Sequence, residues 1–213
     1  MKNRAIINII TILFFFIFNE GMVYSSESQV LKRVMTQLSC NNDEAANFMI
    51  ELEFFIKQAQ DNISKVASQP GKNKIFIKNY TRSNFFLSSS SVQVHIFNKF
   101  KEVETLNVDV YLSRLARLSK YRYTSVELLF NPDYLALGNI YPIDNINNVQ
   151  QYELSVSMWQ LYKENNFIYS DATLQNIIIV FYKKNSKFDF KIKNIAVKET
   201  ISIEEFHEKM KQW

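Results

Sequence analysis

The chain of 213 residues contains one cysteine, three glycines, three prolines and two histidines. Each scarcity closes a class of chemistry. Cys40 stands alone, so no intrachain disulfide can form. A metal site needs His, Cys, Asp or Glu in a cluster. His95 and His207 are far apart on different predicted elements, so no metal site is expected. Gly21, Gly71 and Gly138 are too few and too scattered for a phosphate loop, a dinucleotide fingerprint or a nucleophile elbow. No cofactor is expected. The net charge is +4, from 25 basic and 21 acidic residues. With no basic tract of five, nucleic acid is not an expected partner. Arg114, Arg117, Lys120 and Arg122 then read as a solvated basic face.

Aromatics are plentiful: 18 Phe and 11 Tyr in a chain that is 47% hydrophobic. This composition builds a core and excludes a disordered chain. The N-terminus has a separate logic. Lys2 and Arg4 precede an apolar run, Ala5–Phe18, broken by Asn8 and Thr11. Polar residues follow, and Val23 and Ser25 suit the −3 and −1 positions of a cleavage before Ser26. That layout predicts a secretory signal peptide over residues 1–25. The run is short of the ~20 residues a bilayer span requires, although a retained anchor is the other reading. The expected location is the periplasm or the exterior, with no membrane span once the signal is removed. Cleavage takes Lys2, Arg4 and Glu20 away and leaves a net charge of +3. Cys40 follows Gln37-Leu38-Ser39, far from the apolar run, so lipid attachment there is rejected.

Residues 26–42 show no sustained period and are expected as a linker or a loose helical turn. From Asp43 to Ala67, Ala45, Phe48, Met49, Leu52, Phe55, Ile56, Ala59, Ile63 and Val66 recur at helical spacing. Asn42 is the expected cap, and Pro70-Gly71 ends the helix. Residues 72–80 fit either helix or strand. Val92–Phe97 reads as a strand. Asn107–Leu118 reads as a helix with Val108, Leu112, Leu115 and Leu118 on one face. Tyr121–Phe130 reads as a strand closed by Asn131-Pro132-Asp133. Asn-rich 139–148 is expected as a long mobile loop. In 152–162, Tyr152, Leu154, Val156 and Met158 alternate with Glu153, Ser155 and Ser157, as in a half-buried antiparallel strand. Residues 174–182, with Ile177-Ile178-Ile179-Val180 apolar on both faces, should be central. In 187–199, Phe188, Phe190 and Ile192 share one phase, and Ile195 and Val197 take the opposite one. That one-residue slip predicts a β-bulge. Lys183-Lys184-Asn185-Ser186 is the hairpin loop before it. Ser202-Ile203-Glu204-Glu205 is a capping box that opens a final amphipathic helix over 200–213.

The order is long helix, short element, strand, helix and then strands. It resembles the nuclear transport factor 2-like superfamily, in particular its small exported bacterial members. Val110-Tyr111-Leu112-Ser113-Arg114-Leu115, Tyr123-Thr124-Ser125-Val126-Glu127 and Tyr169-Ser170-Asp171-Ala172-Thr173 carry the resemblance, which covers about Asp43 to Glu199. The Phe85–Ser91 segment and the final helix depart from it. The resemblance implies an α+β fold, cone-shaped, with a long helix and shorter helices on a curved, bulged antiparallel sheet. That fold hosts catalysts, binders and dimerisation modules alike.

His95 is the one acid–base candidate, with Asp109 also weighed as a partner. His95, Tyr111, Tyr152 and Asp171 are the candidate cavity-lining residues. General acid–base catalysis needs two placed groups, and the pattern places one, so no catalytic residue is assigned. In Tyr169–Thr173, Ser170, Asp171 and Thr173 also suit plain backbone satisfaction where a strand begins. Trp159, Leu161, Phe206, Met210 and Trp213 form apolar stripes that either pack at home or meet a partner. The expected role is an exported non-catalytic binding or protein-interaction module, with a protein partner or self-association. The alternative is a small-molecule binder or a cavity enzyme of isomerase, dehydratase or cyclase type.

Overall fold

The computed structural model describes residues 23–68, 73–96, 99–121, 126–130, 136–146, 149–164, 170–184 and 187–211. Residues 1–22, which carry most of the expected export signal, lie outside this set, as does the turn expected at Asn131-Pro132-Asp133. Two compact units divide the chain, residues 1–47 and 48–213.

The first unit holds α1 (Val23–Leu38) and the start of α2 (Asn42–Ser68). A 16-residue helix thus stands where a linker or loose turn was expected. Its end explains why the pattern broke. Ser39 takes the left-handed conformation at φ 51°, and the Cys40 amide donates to the Met35 carbonyl at 3.1 Å. This is a Schellman stop built without glycine. The cap of α2 is Asn41, not Asn42: its side-chain oxygen accepts from the Glu44 amide at 2.9 Å.

Among the described residues of the second unit, seven strands form one sheet: β1 (Phe86–Ile96), β2 (Lys99–Asn107), β3 (Val126–Phe130), β4 (Ala136–Ile146), β5 (Val149–Glu164), β6 (Ser170–Lys184) and β7 (Lys187–Ser202). Their order is β2-β1-β7-β6-β5-β3, with β4 also on β5. The helices of this unit are the rest of α2, then α3 (Asn73–Phe85), α4 (Val108–Tyr121) and α5 (Ile203–Met210). The architecture is α+β, as expected. One pair departs from an all-antiparallel sheet: β1 runs parallel to β7. No hairpin joins those two strands, so nothing forces them to run opposite ways. Among the described residues, no helix is long and apolar enough to cross a membrane.

The alternation in β5 decides which face is core. Leu154, Val156 and Met158 are fully buried, while Glu153, Ser155 and Ser157 are half-buried. Through the ladder, Ile177, Ile179 and Phe181 of β6 lie on the same inner face, followed by Phe190, Ile192 and Ile195 of β7. β6 sits inside the sheet, as its two-sided apolar run requires. In β7, Ile179 pairs Ile192 whereas Ile178 pairs Asn194, leaving Lys193 as the extra residue of a bulge. That is the predicted phase slip. A second bulge leaves Lys198 unpaired. Two hydrogen bonds tie neighbours to this irregular strand. Ser90 Oγ donates to the Ile192 carbonyl at 2.6 Å, and Gln93 Oε1 accepts from the Val197 amide at 3.0 Å.

One ambiguity is settled and two elements were misjudged. Residues 73–85 are helix, because Lys74, Thr81 and Phe85 face inward at helical spacing while Ile75 and Phe76 are exposed. Of the strand expected over Tyr121–Phe130, Tyr121 belongs to α4 and Val126–Phe130 form β3, with residues 122–125 outside the described set. The expected mobile loop is largely strand β4, anchored by buried Leu137 and Ile140. Its pattern is obscured by Pro142 and by breaks in register between Leu137 and Ile140 and between Pro142 and Asn145.

The first of those breaks holds Gly138. A Cβ there would lie 2.9 Å from the Ser155 carbonyl and overlap the Ser155 hydroxyl. A hydroxyl can rotate, but a ladder carbonyl cannot move without its strand. Gly138→Ala is therefore expected to destabilise the fold by about 1–3 kcal/mol. A lowered denaturant midpoint at unchanged slope would show it; an unchanged midpoint would mean that the β4 edge yields freely.

Candidate functional site

The inner face of the sheet is filled by rings. Phe48 of α2 lies 5.0 Å from both Phe181 and Phe188 and 5.8 Å from Phe190. Phe55, two turns on, meets Phe190 at 5.4 Å and Phe85 of α3 at 5.8 Å. Tyr152 stacks on Phe181 at 5.3 Å. The tilted and edge-on geometries are those that ring quadrupoles favour. At the edge of this cluster, the Phe188 amide donates to Glu51 Oε2 at 2.8 Å, which pins α2 to β7.

Further along the same face the lining turns polar. Gln60 and Gln160 are both buried and joined by a hydrogen bond of 2.7 Å. Thr173, opposite Gln160 in the ladder, shares a hydroxyl contact of 3.1 Å with Thr200. One row away, Gln175 Oε1 is buried without a partner, and so is Ser64 Oγ, one turn along α2 from Gln60.

The outer face has two regions. At one end α5 covers it. Ser202 caps that helix, accepting from the Glu205 amide while the Glu205 carboxylate accepts from the Ser202 amide, so the capping box forms as expected. Trp159 and Phe206 meet edge to face at 5.3 Å, with Leu161 and Met210 packed beside them. Lys209 Nζ sits 5.1 Å over the Trp159 ring. These apolar residues pack at home, and the buried Trp159 and Phe206 are not a free contact surface. Trp213 lies outside the described residues.

Beyond α5 the outer face is mixed: Ile178 and Val180 of β6 lie between polar residues of β5 and β7. Both bulges of β7 leave a lysine as the extra residue, and each reaches β5: Lys193 pairs with Glu153, and Lys198 Nζ donates to Ser157 Oγ at 3.1 Å. Ser157 Oγ in turn donates to Asn176 Oδ1 at 3.2 Å. Bulges commonly re-aim side chains in this way.

Of the four cavity-lining candidates, Tyr152 and Asp171 do not meet. Tyr152 pairs with Phe181, whereas Asp171 begins the same strand and pairs with Tyr162 and Ser202. Ten residues of strand put their backbones about 30 Å apart. His95 pairs with Val103 at the β1–β2 hairpin; the side chains of His95 and Asp171 lie outside the described set. Tyr111 is half-buried on α4. Among the described residues, no three His, Cys, Asp or Glu side chains are grouped to hold a metal ion. The displaced pKa values belong to the surface pairs Glu104–Arg114 and Tyr182–Asp189 instead. The hydrogen bond from Arg114 holds the Glu104 carboxyl below its ordinary range, and the bond to Asp189 raises the Tyr182 phenol. Asp109 pairs with Arg82 at 3.1 Å, joining α4 to α3.

Neither the Gln60–Gln160 pair nor the lysine–serine track was anticipated. The bulge offered a signal for the track, since an extra residue in a strand must point somewhere.

No family model matches this chain, and no curated protein matches it. Solved structures resemble it in backbone. One is a proposed scytalone dehydratase from Novosphingobium aromaticivorans DSM 12444, at 8% identity and a TM-score of 0.44, covering 76% of this chain and 91% of that one. Another is Bd1075 of Bdellovibrio bacteriovorus, at 12% identity and a TM-score of 0.42, covering 75% of this chain. This chain spans 43% of the Bd1075 chain's length. Likenesses this distant carry no argument about activity, so the α+β architecture with its ring-filled inner face is the firm conclusion.

Proposed function

We propose that this chain is an exported, non-catalytic binding or protein-interaction module with a nuclear transport factor 2-like fold. One observation carries the reading. The space between α2 and the sheet, where a ligand of such a fold would sit, is occupied by Phe48, Phe55, Phe181, Phe188, Phe190 and Tyr152. The basic, apolar and small-residue layout of residues 1–25 supports export. The outer face, with Lys193, Lys198, Ser157 and Asn176, supplies polar groups for a protein partner. A second reading, a small-molecule binder or cavity enzyme, draws on the unpartnered Gln175 Oε1 and Ser64 Oγ beside the buried glutamine pair.

Native mass spectrometry of the chain, purified from its own host's envelope fraction, separates the two. The module reading expects a protein complex with no small adduct, weakened by Lys198→Glu. An added mass of about a few hundred daltons, lost on denaturation, would overturn it in favour of the small-molecule reading.

A further inference from the structure

We propose that the outward face of α2 seats the same face of a second copy of this chain, antiparallel about a two-fold axis. This goes beyond the reading above and does not depend on it, because a dimer would serve a module or an enzyme equally.

The first ground is charge. Glu53, Lys57, Asp61 and Lys65 are all exposed and follow one another at four-residue spacing, so they form a stripe along one side of the helix. Their signs alternate. The spacing would allow ion pairs within the helix, yet none of the four side chains makes an ion pair or hydrogen bond among the described residues. A stripe that reads minus, plus, minus, plus is its own complement when reversed. An axis at the level of Ala59 sets Glu53 against the partner's Lys65 and Lys57 against the partner's Asp61. An anionic membrane or an acidic peptide would meet Glu53 and Asp61 as repulsion, and a basic partner would meet both lysines so. A reversed copy satisfies all four.

The second ground is apolar surface at matching levels. Ile50 and Phe54 are 66% and 61% exposed on the same outward side. α3 returns antiparallel beside α2: Lys74 Nζ reaches the Ala67 carbonyl at 3.3 Å, and Phe85 meets Phe55 at 5.8 Å. Phe76 of α3 therefore lies level with Lys65. That is the level to which the two-fold brings the partner's Phe54. Ile75, Phe76 and Tyr80 are 69%, 73% and 44% exposed there. With aromatic side chains each able to bury about 150–250 Å², these five residues supply on the order of 600 Å² per copy. A standard stable interface takes about 800 Å² per partner, the remainder being a polar rim of the kind the charged stripe provides.

Sedimentation of the chain over a range of concentrations tests this, with circular dichroism to confirm that each variant is folded. A concentration-dependent dimer is expected. Lys57→Glu should weaken it roughly tenfold or more, because the two-fold repeats each reversed pair. Adding Asp61→Lys to that variant restores opposite charges and should restore the dimer. A monomer at every concentration, a dimer indifferent to Lys57→Glu, or a double variant no better than the single one would each overturn the proposal. So would a monomer that binds liposomes or a different protein through Phe54 and Phe76.

Discussion

Phe181→Ala is expected to cost about 3–5 kcal/mol of folding stability, the range for deleting a buried ring. Phe181 is fully buried and contacts four rings: Phe48 at 5.0 Å, Tyr152 at 5.3 Å, Phe190 at 5.5 Å and Phe188 at 6.1 Å. Those neighbours come from two strands and α2, so they cannot all collapse into the vacated space. Denaturant unfolding monitored by circular dichroism would measure the loss. Phe181→Leu, which keeps most of the volume, should lose much less. The outcome also bears on function. A loss below about 1 kcal/mol would mean that the ring cluster is loosely packed. A loosely packed interior has room for a ligand, and the small-molecule reading would gain.

The parts of the fold that were legible in the sequence are those where one face is buried and the other is wet. β5 alternates because its inner face meets α2 and its outer face meets water over most of its length. The slip in β7 showed because the inner face demands apolar residues on both sides of Lys193. The illegible elements have weaker contrast. β2 is an edge strand whose Glu102 and Glu104 carry the charge that guards an edge. Among its described side chains only Leu106 is buried, so no alternation marked it. α3 turns Lys74 and Thr81 inward and leaves Ile75 and Phe76 outside, which inverts the pattern that periodicity reads. Among candidate residues, Trp159 stood out because an indole on a polar face needs a cover, and α5 supplies it. Tyr152 and Asp171 both looked like cavity-lining residues until the ladder placed Tyr152 against Phe181, ten residues along β6 from Asp171. Sequence spacing shows which face a strand residue takes, but not which end of the sheet it shares with another.

Gln160→Leu is expected to cost about 1–3 kcal/mol, because it strands the buried amide of Gln60. The two glutamines are 3% and 8% exposed, and a 2.7 Å hydrogen bond links them across the gap between α2 and β5. Removing one partner leaves the other desolvated and unpaired, whereas replacing both with similar apolar volume removes the penalty. The Gln60→Leu/Gln160→Leu double variant should therefore recover most of the loss, and a double-mutant cycle on thermal or denaturant midpoints would read the coupling. Additive losses would show that the bond contributes little and that each amide is satisfied elsewhere. Near-complete recovery has a second consequence. A chain that is as stable without its buried amides does not need them for folding. The polar patch that they form with Gln175, Thr173 and Thr200 would then call for another explanation, and the small-molecule reading supplies one. In that case the double variant should lose whatever small adduct native mass spectrometry finds on the wild-type chain. If no adduct is found and the cycle still couples strongly, the pair acts only to align α2 on the sheet.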